Sequence, residues 1–299
     1  LPQALSQWQK AGVDISPFRD GHAMTCHRYA ALGLRQLLPL ERVMVAVSSR
    51  RHGAFGGFHH PDQGYRHLQM RAVVTMYGRM SEGIPQVPAL AVLDLLRAYA
   101  HDCLHYGSYR SYLLHEEKVV RSQYGLNFRR RDGRSYSVPD RVLSPTTRNL
   151  GVVMEGACDR EARSITRRTA AEHGIVVADG TDGFAFRDVT GQLAPADTAT
   201  LAGHCAGRTS EPAAYLARMG TYETNVNDRY AGFLAEIGQT EAEDLHTVVL
   251  STVISGNMST LCTWLDRRYG PGAFAALFMS PGYLSLGDPP DRTGLTLAG

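Results

Sequence analysis

Residues 88–105, Pro88-Ala-Leu-Ala-Val-Leu-Asp-Leu-Leu-Arg-Ala-Tyr-Ala-His-Asp-Cys-Leu-His105, decide how this chain is read. A proline able to open a helix is followed by apolar residues on most sides of the helical wheel, and the next glycine is Gly107. The pattern predicts a buried helix from about Pro88 to about His105 that nonetheless carries polar groups. Ionisable side chains in such a place need partners, because burying them unpaired is costly. His101 and His105 are four apart. On a helix their side chains stand one above the other, about 6 Å apart at Cβ, and can grip one metal ion. The other reading of the pair is two core histidines hydrogen-bonded to backbone carbonyls.

A hydrolytic zinc site takes three protein ligands and keeps an open position. The best third ligand lies downstream, in Val153-Met-Glu-Gly-Ala-Cys-Asp159. Glu155 interrupts an apolar run on a second predicted helix, from Thr147 to Gly174, and a carboxylate there wants a cation. Asp159, one turn on, is spaced to accept the second ring N–H of a ligating histidine, which fixes its tautomer. The expected cofactor is Zn2+, held by His101, His105 and Glu155.

Around these helices, Arg42-Val-Met-Val-Ala-Val-Ser-Ser49 reads as a strand, and residues 67–77 alternate as a second one. Gly53 to Tyr65 reads as a Gly, His and Pro-rich loop, whose His59, His60 and Asp62 suit solvent. Residues 124–138 read as a hairpin turning at Asp132-Gly133. The stretch from Ile175 to about Ser210 reads as loops with a short hairpin around Asp182-Gly183. The last third reads as helices over 212–220, 222–238, 241–255, 259–269 and 272–279, with a loose tail beyond Pro281. The expected class is α+β: a zincin-like metal-binding domain over 1–174, a mainly helical subdomain over 175–284, and a tail over 285–299.

The order of parts resembles the gluzincin metallopeptidases, in which a His-Glu-x-x-His helix is followed by a hairpin or loop and then a helix bearing a Glu ligand. Here His101-Asp-Cys-Leu-His105 is followed, fifty residues later, by Met154-Glu-Gly-Ala-Cys-Asp159. The resemblance spans roughly residues 42–280. It implies hydrolysis of a peptide or amide bond, with Asp102 where the family's general-base Glu stands. Asp is one methylene shorter and ends about 1.5 Å short of that place. The family also uses a His or Tyr from its C-terminal part to hold the oxyanion, which implies Tyr222, Tyr230 or His246 here. The run His101-Asp-Cys-Leu-His-Tyr-Gly107 equally resembles HD-domain phosphohydrolases, whose metal ligands would then include His67 and Asp159. That reading needs residues 66–80 to be helical, whereas the gluzincin one needs them extended. A third reading keeps the fold as a binding or small-molecule biosynthesis protein with altered chemistry at Asp102.

Composition narrows the field. The 299 residues are 43% hydrophobic and 20% charged, with a formal net charge of +2, which does not argue for nucleic acid. Arg129-Arg130-Arg131 and Arg167-Arg168 read as a solvated hairpin tip and helix face. Five cysteines without a C-x-x-C pair suggest neither a disulfide framework nor a thiolate zinc knuckle, and point to a reducing, cytoplasmic setting. No segment reaches the length of a membrane span, and the first ten residues lack the regions of a signal peptide. No Gly-rich phosphate loop or Gly-x-Ser-x-Gly elbow occurs. The expected partner is a peptide or small amide-type substrate, with no nucleic acid and no membrane, and the sequence does not set the oligomeric state.

Overall fold

The structure, a computed structural model, describes residues 1–46, 56–60, 65–69, 85–115, 117–129, 135–137, 139–177, 180–194, 196–197 and 211–279. Its architecture is α+β, with a small N-terminal region of sheet and helices and a C-terminal helical bundle. The chain divides into two compact units, one of residues 1–31, 35–106 and 159–224, the other of 32–34, 107–158 and 225 onward.

In the first unit, α1 (Pro2–Lys10) and α2 (Ser16–Ala31) precede β1 (Val43–Ala46), β2 (Gly56–His60) and β3 (Tyr65–Gln69). The sheet order is β1-β3-β2, with β1 parallel and β2 antiparallel to β3, so that Val43 lies opposite Arg66 and Phe58 opposite His67. The Gly53–Tyr65 loop expectation is therefore corrected at Gly56–His60 and at Tyr65. Paired Gly56 and Gly57 have little strand preference of their own, and β3 supplies the partner that makes them a strand. The expected strand over 67–77 is seen to Gln69. Residues 47–49, 70–77 and Asp62 lie outside the described residues, as do the side chains of His59, His60 and His67.

The helix α3 (Pro88–Gly107) follows the predicted course, and every residue from Leu90 to Ala100 is buried, Asp94 and Arg97 included. It is tied into its surroundings from outside its own sequence: the Tyr29 hydroxyl donates to the Ala100 carbonyl (3.0 Å), and that of Tyr99 to Leu38 (2.7 Å). Leu90 and Leu93 pack in one core with Ala170 of α4 (Leu150–Glu172), Ala185 and Val189 of α5 (Thr181–Thr190), and Met219 of α6 (Glu211–Tyr222). The helix α5 corrects the loop-and-hairpin expectation at Asp182-Gly183. Its stop is a left-handed Gly191, with Gln192 N bonded to Arg187 O (2.7 Å) and Gly191 N to Asp188 O (3.1 Å). The predicted break after Gly220 is also absent. The chain continues from α6 through π-helical turns (Glu223–Asp228), since one glycine costs a helix only about 1 kcal/mol.

In the second unit, β4 (Arg110–His115), β5 (Lys118–Tyr124) and β6 (Asn127–Phe128) form an antiparallel sheet in that order. An isolated bridge joins Arg129 to Ser135, and the expected turn at Asp132-Gly133 lies outside the described residues. Asn149 opens α4 as predicted for a helix starting near Thr147, its Oδ1 accepting from Gly151 N (2.9 Å) and Val152 N (3.1 Å). The same helix ends in a Schellman motif at Gly174, with Ile175 N on Ala170 O (2.9 Å). The bundle comprises α7 (Arg229–Phe233), α8 (Ala242–Ser255), α9 (Met258–Tyr269) and α10 (Ala273–Phe278), cored by Phe233, Leu245, Val249, Leu265 and Phe278. The expected tail lies outside the described residues. No described helix is long and apolar enough to cross a membrane. Cys26, Cys103, Cys158 and Cys262 are free thiols.

Candidate metal centre

The centre grows out of two polar stripes on otherwise apolar helices. On α3, Asp94, Arg97, His101 and His105 recur at spacings of three, four and four residues, which puts them on one face. On α4, Glu155, Asp159 and Arg163 recur every four. His101, His105 and Glu155, all half-buried, bring one ligand atom each to within 4.8 Å of one another, a cluster able to hold a metal ion. The two Nε2 atoms are 3.0 Å apart. Two ligand nitrogens at zinc-nitrogen distances and tetrahedral angles stand about 3.3 Å apart, so the imidazoles already converge as a chelating pair. The donor set of two imidazoles and one carboxylate is one that zinc accepts.

The face of His101 away from this cluster looks onto Asp159. Its Nδ1 stands 3.4 Å from Asp159 Oδ1, within ion-pair distance. Asp159 is fully buried and held by two guanidiniums, Arg97 Nη2 at 2.6 Å and Arg163 Nε at 2.9 Å. Burial alone would raise its pKa. The charges of Arg163 and Arg97 overcome that and, with His101 adding to them, hold the carboxyl well below the usual range. Arg163 in turn meets Asp188 of α5 through Nη2 (2.5 Å) and Glu223 through Nη1 (2.8 Å).

Asp102 is buried and its Oδ1 is ion-paired with Arg66 of β3. Its Oδ2 has no hydrogen-bond partner among the described residues. Burial pushes the neighbouring Cys103 thiol up to about 12. Tyr230 and His246 pair with each other, hydroxyl to Nδ1 at 2.8 Å, and both are buried. Tyr222 ends α6 half-buried.

The Tyr230 side chain lies directly on Gly156, next to Glu155 in the chain: a Cβ at position 156 would fall 2.4 Å from Tyr230 Cβ. Since Cβ cannot swing away by changing rotamer, Gly156→Ala is expected to overpack this contact by about 1–3 kcal/mol. Differential scanning calorimetry should show Tm falling by several degrees. An unchanged Tm would mean that the two helices separate here at no cost.

Sequence reasoning missed Arg66, Arg97 and Arg163. For the latter two a signal existed, since each extends the helical spacing of a predicted ligand by one more turn. Comparison with protein-family models, with curated proteins and with solved structures finds no match for this chain.

Proposed function

We propose that this protein is a zinc-dependent hydrolase with a gluzincin-like ligand order, His101, His105 and Glu155, acting on a peptide or amide bond. The observation that carries the reading is the convergence of those three side chains from segments fifty residues apart. It uses Glu155, which the HD-domain reading leaves without a role. The extended backbone at Tyr65–Gln69 also favours it, since the HD reading wants a helix beginning at 66.

A zinc ion held there supplies Lewis acidity and makes water a nucleophile near neutral pH. The protein's own groups do the rest. Asp159 orients His101, so that Nε2 carries the lone pair. Arg66 fixes one oxygen of Asp102, while Oδ2 would take the proton from the attacking water and deliver it to the leaving amine. Tyr230 and His246 act as one hydrogen-bonded unit that braces the turn of α4 bearing Glu155.

The test is metal content by inductively coupled plasma mass spectrometry on protein purified without chelator or His tag, together with a peptide and amide substrate screen. About one zinc per chain is expected. Asp102→Asn should keep the zinc and lose about 10²–10⁴-fold in turnover. Zinc without turnover on any substrate would favour a second reading, a metal-binding protein whose base position is neutralised, for which the Arg66–Asp102 ion pair is the supporting observation. Absence of zinc would return His101 and His105 to the core-histidine role.

A further inference from the structure

We propose that Arg97 and Arg163 are positioning residues of the metal centre, which lock His101 into the tautomer that presents Nε2 to the ion. This rests on the metal reading above. The observation behind it is a continuous chain of buried charged groups: Glu223 and Asp188 on Arg163, Arg163 and Arg97 on Asp159, and Asp159 beside Nδ1 of His101.

Stability does not account for the chain. Arg97, Asp159, Arg163, Asp188 and Glu223 are all at most 7% exposed. Taking such groups from water costs about as much as their attraction returns, and apolar residues of the same volume would do as well or better. Geometry gives them a use. A carboxylate alone beside an imidazole can rotate, and either oxygen can accept. Here Arg97 hydrogen-bonds Oδ1 and Arg163 Nε ion-pairs with Oδ2, from two helices, so a cation bears on each carboxylate oxygen, and Oδ1 is the oxygen 3.4 Å from Nδ1 of His101. An acceptor held in that place keeps the ring proton on Nδ1, and the lone pair is then on Nε2, 3.0 Å from Nε2 of His105. Asp188 and Glu223 hold Arg163 in turn, which extends control of the ligand to α5 and to the π-helical turns after α6.

Charge and geometry are separable by substituting lysine, which keeps the cation but loses the planar guanidinium that sets Nη2 of Arg97 on Oδ1 and spreads Arg163 over three carboxylates. Arg97→Lys and Arg163→Lys should each weaken zinc binding by about tenfold, the lower end of the effect of losing an outer-shell partner. Competition with a chromophoric chelator measures this. If either variant fails to fold by circular dichroism, the other decides. The second readout needs no metal: long-range ¹H–¹⁵N correlation spectra of the zinc-free protein at one fixed pH report the tautomer of His101. The wild type should show the Nδ1–H form and the lysine variants a mixture, which a merely structural role would not produce. Wild-type zinc affinity and tautomer in both variants would overturn the proposal while leaving the metal reading intact. A wild type that binds no zinc, yet shows the tautomer change on substitution, would overturn the metal reading and uphold the arginines' control of His101.

Discussion

Glu155→Ala is expected to yield a folded protein almost devoid of zinc, its affinity lowered by more than about a hundredfold. Loss of an outer-shell partner alone costs 10–100-fold, and Glu155 is the only carboxylate in the cluster found among the described residues. Two imidazoles one turn apart would remain. They hold an ion from one side of one helix, without the anionic ligand that offsets its charge. The fold should survive, because Glu155 is half-buried on α4 and alanine suits a helix interior. Mass spectrometric metal content gives the main result. Thermal unfolding with and without chelator gives the second, since a ligand that binds only the native state raises Tm, and the variant should lose that chelator-sensitive increment. A full equivalent of zinc retained by Glu155→Ala but lost from Asp159→Ala would sink the three-ligand site and revive the HD-type arrangement.

The candidate ligands were legible because the helix period exposes them. His101 and His105 interrupt an apolar helix at a chelating spacing, and Glu155 interrupts another with Asp159 one turn on. Neither inference needed knowledge of how the chain folds back on itself. The ends of α4 were legible for the same local reason, through Asn149 and Gly174. What escaped depends on partners distant in sequence. Arg97 continues the histidine spacing by one turn, but nothing local names Asp159 as its partner, and nothing near Asp102 in the chain names Arg66, 36 residues away, as the group on its Oδ1. The helix α5 looks like a loop for its Gly, Asp and Thr content. It forms because Ala185 and Val189 join the core and Asp188 reaches Arg163. β2 is a strand only by virtue of β3. Secondary structure made by tertiary contact carries little periodicity for sequence reasoning to detect.

That dependence makes Arg163 the residue whose loss should do most damage to stability. Its three nitrogens each meet a different carboxylate, Asp159, Asp188 and Glu223, at 2.5–2.9 Å, and the side chain is 4% exposed. Arg163→Met keeps the volume and removes the charge, so Asp159 and Asp188, both fully buried, lose a cation that no water can replace. Breaking a buried ionic network from one side costs about 3–5 kcal/mol, which urea denaturation should read as a lower midpoint at nearly unchanged slope. The cost belongs to the stranded anions and not to a missing attraction. Adding Asp188→Asn and Glu223→Gln to Arg163→Met should therefore recover a large part of the stability, although each of these alone, in the presence of Arg163, should be destabilising. Such a sign change is the signature of coupled sites. If Arg163→Met unfolds within about 1 kcal/mol of wild type, Asp188 and Glu223 have other sufficient partners, and the network is not centred on this arginine.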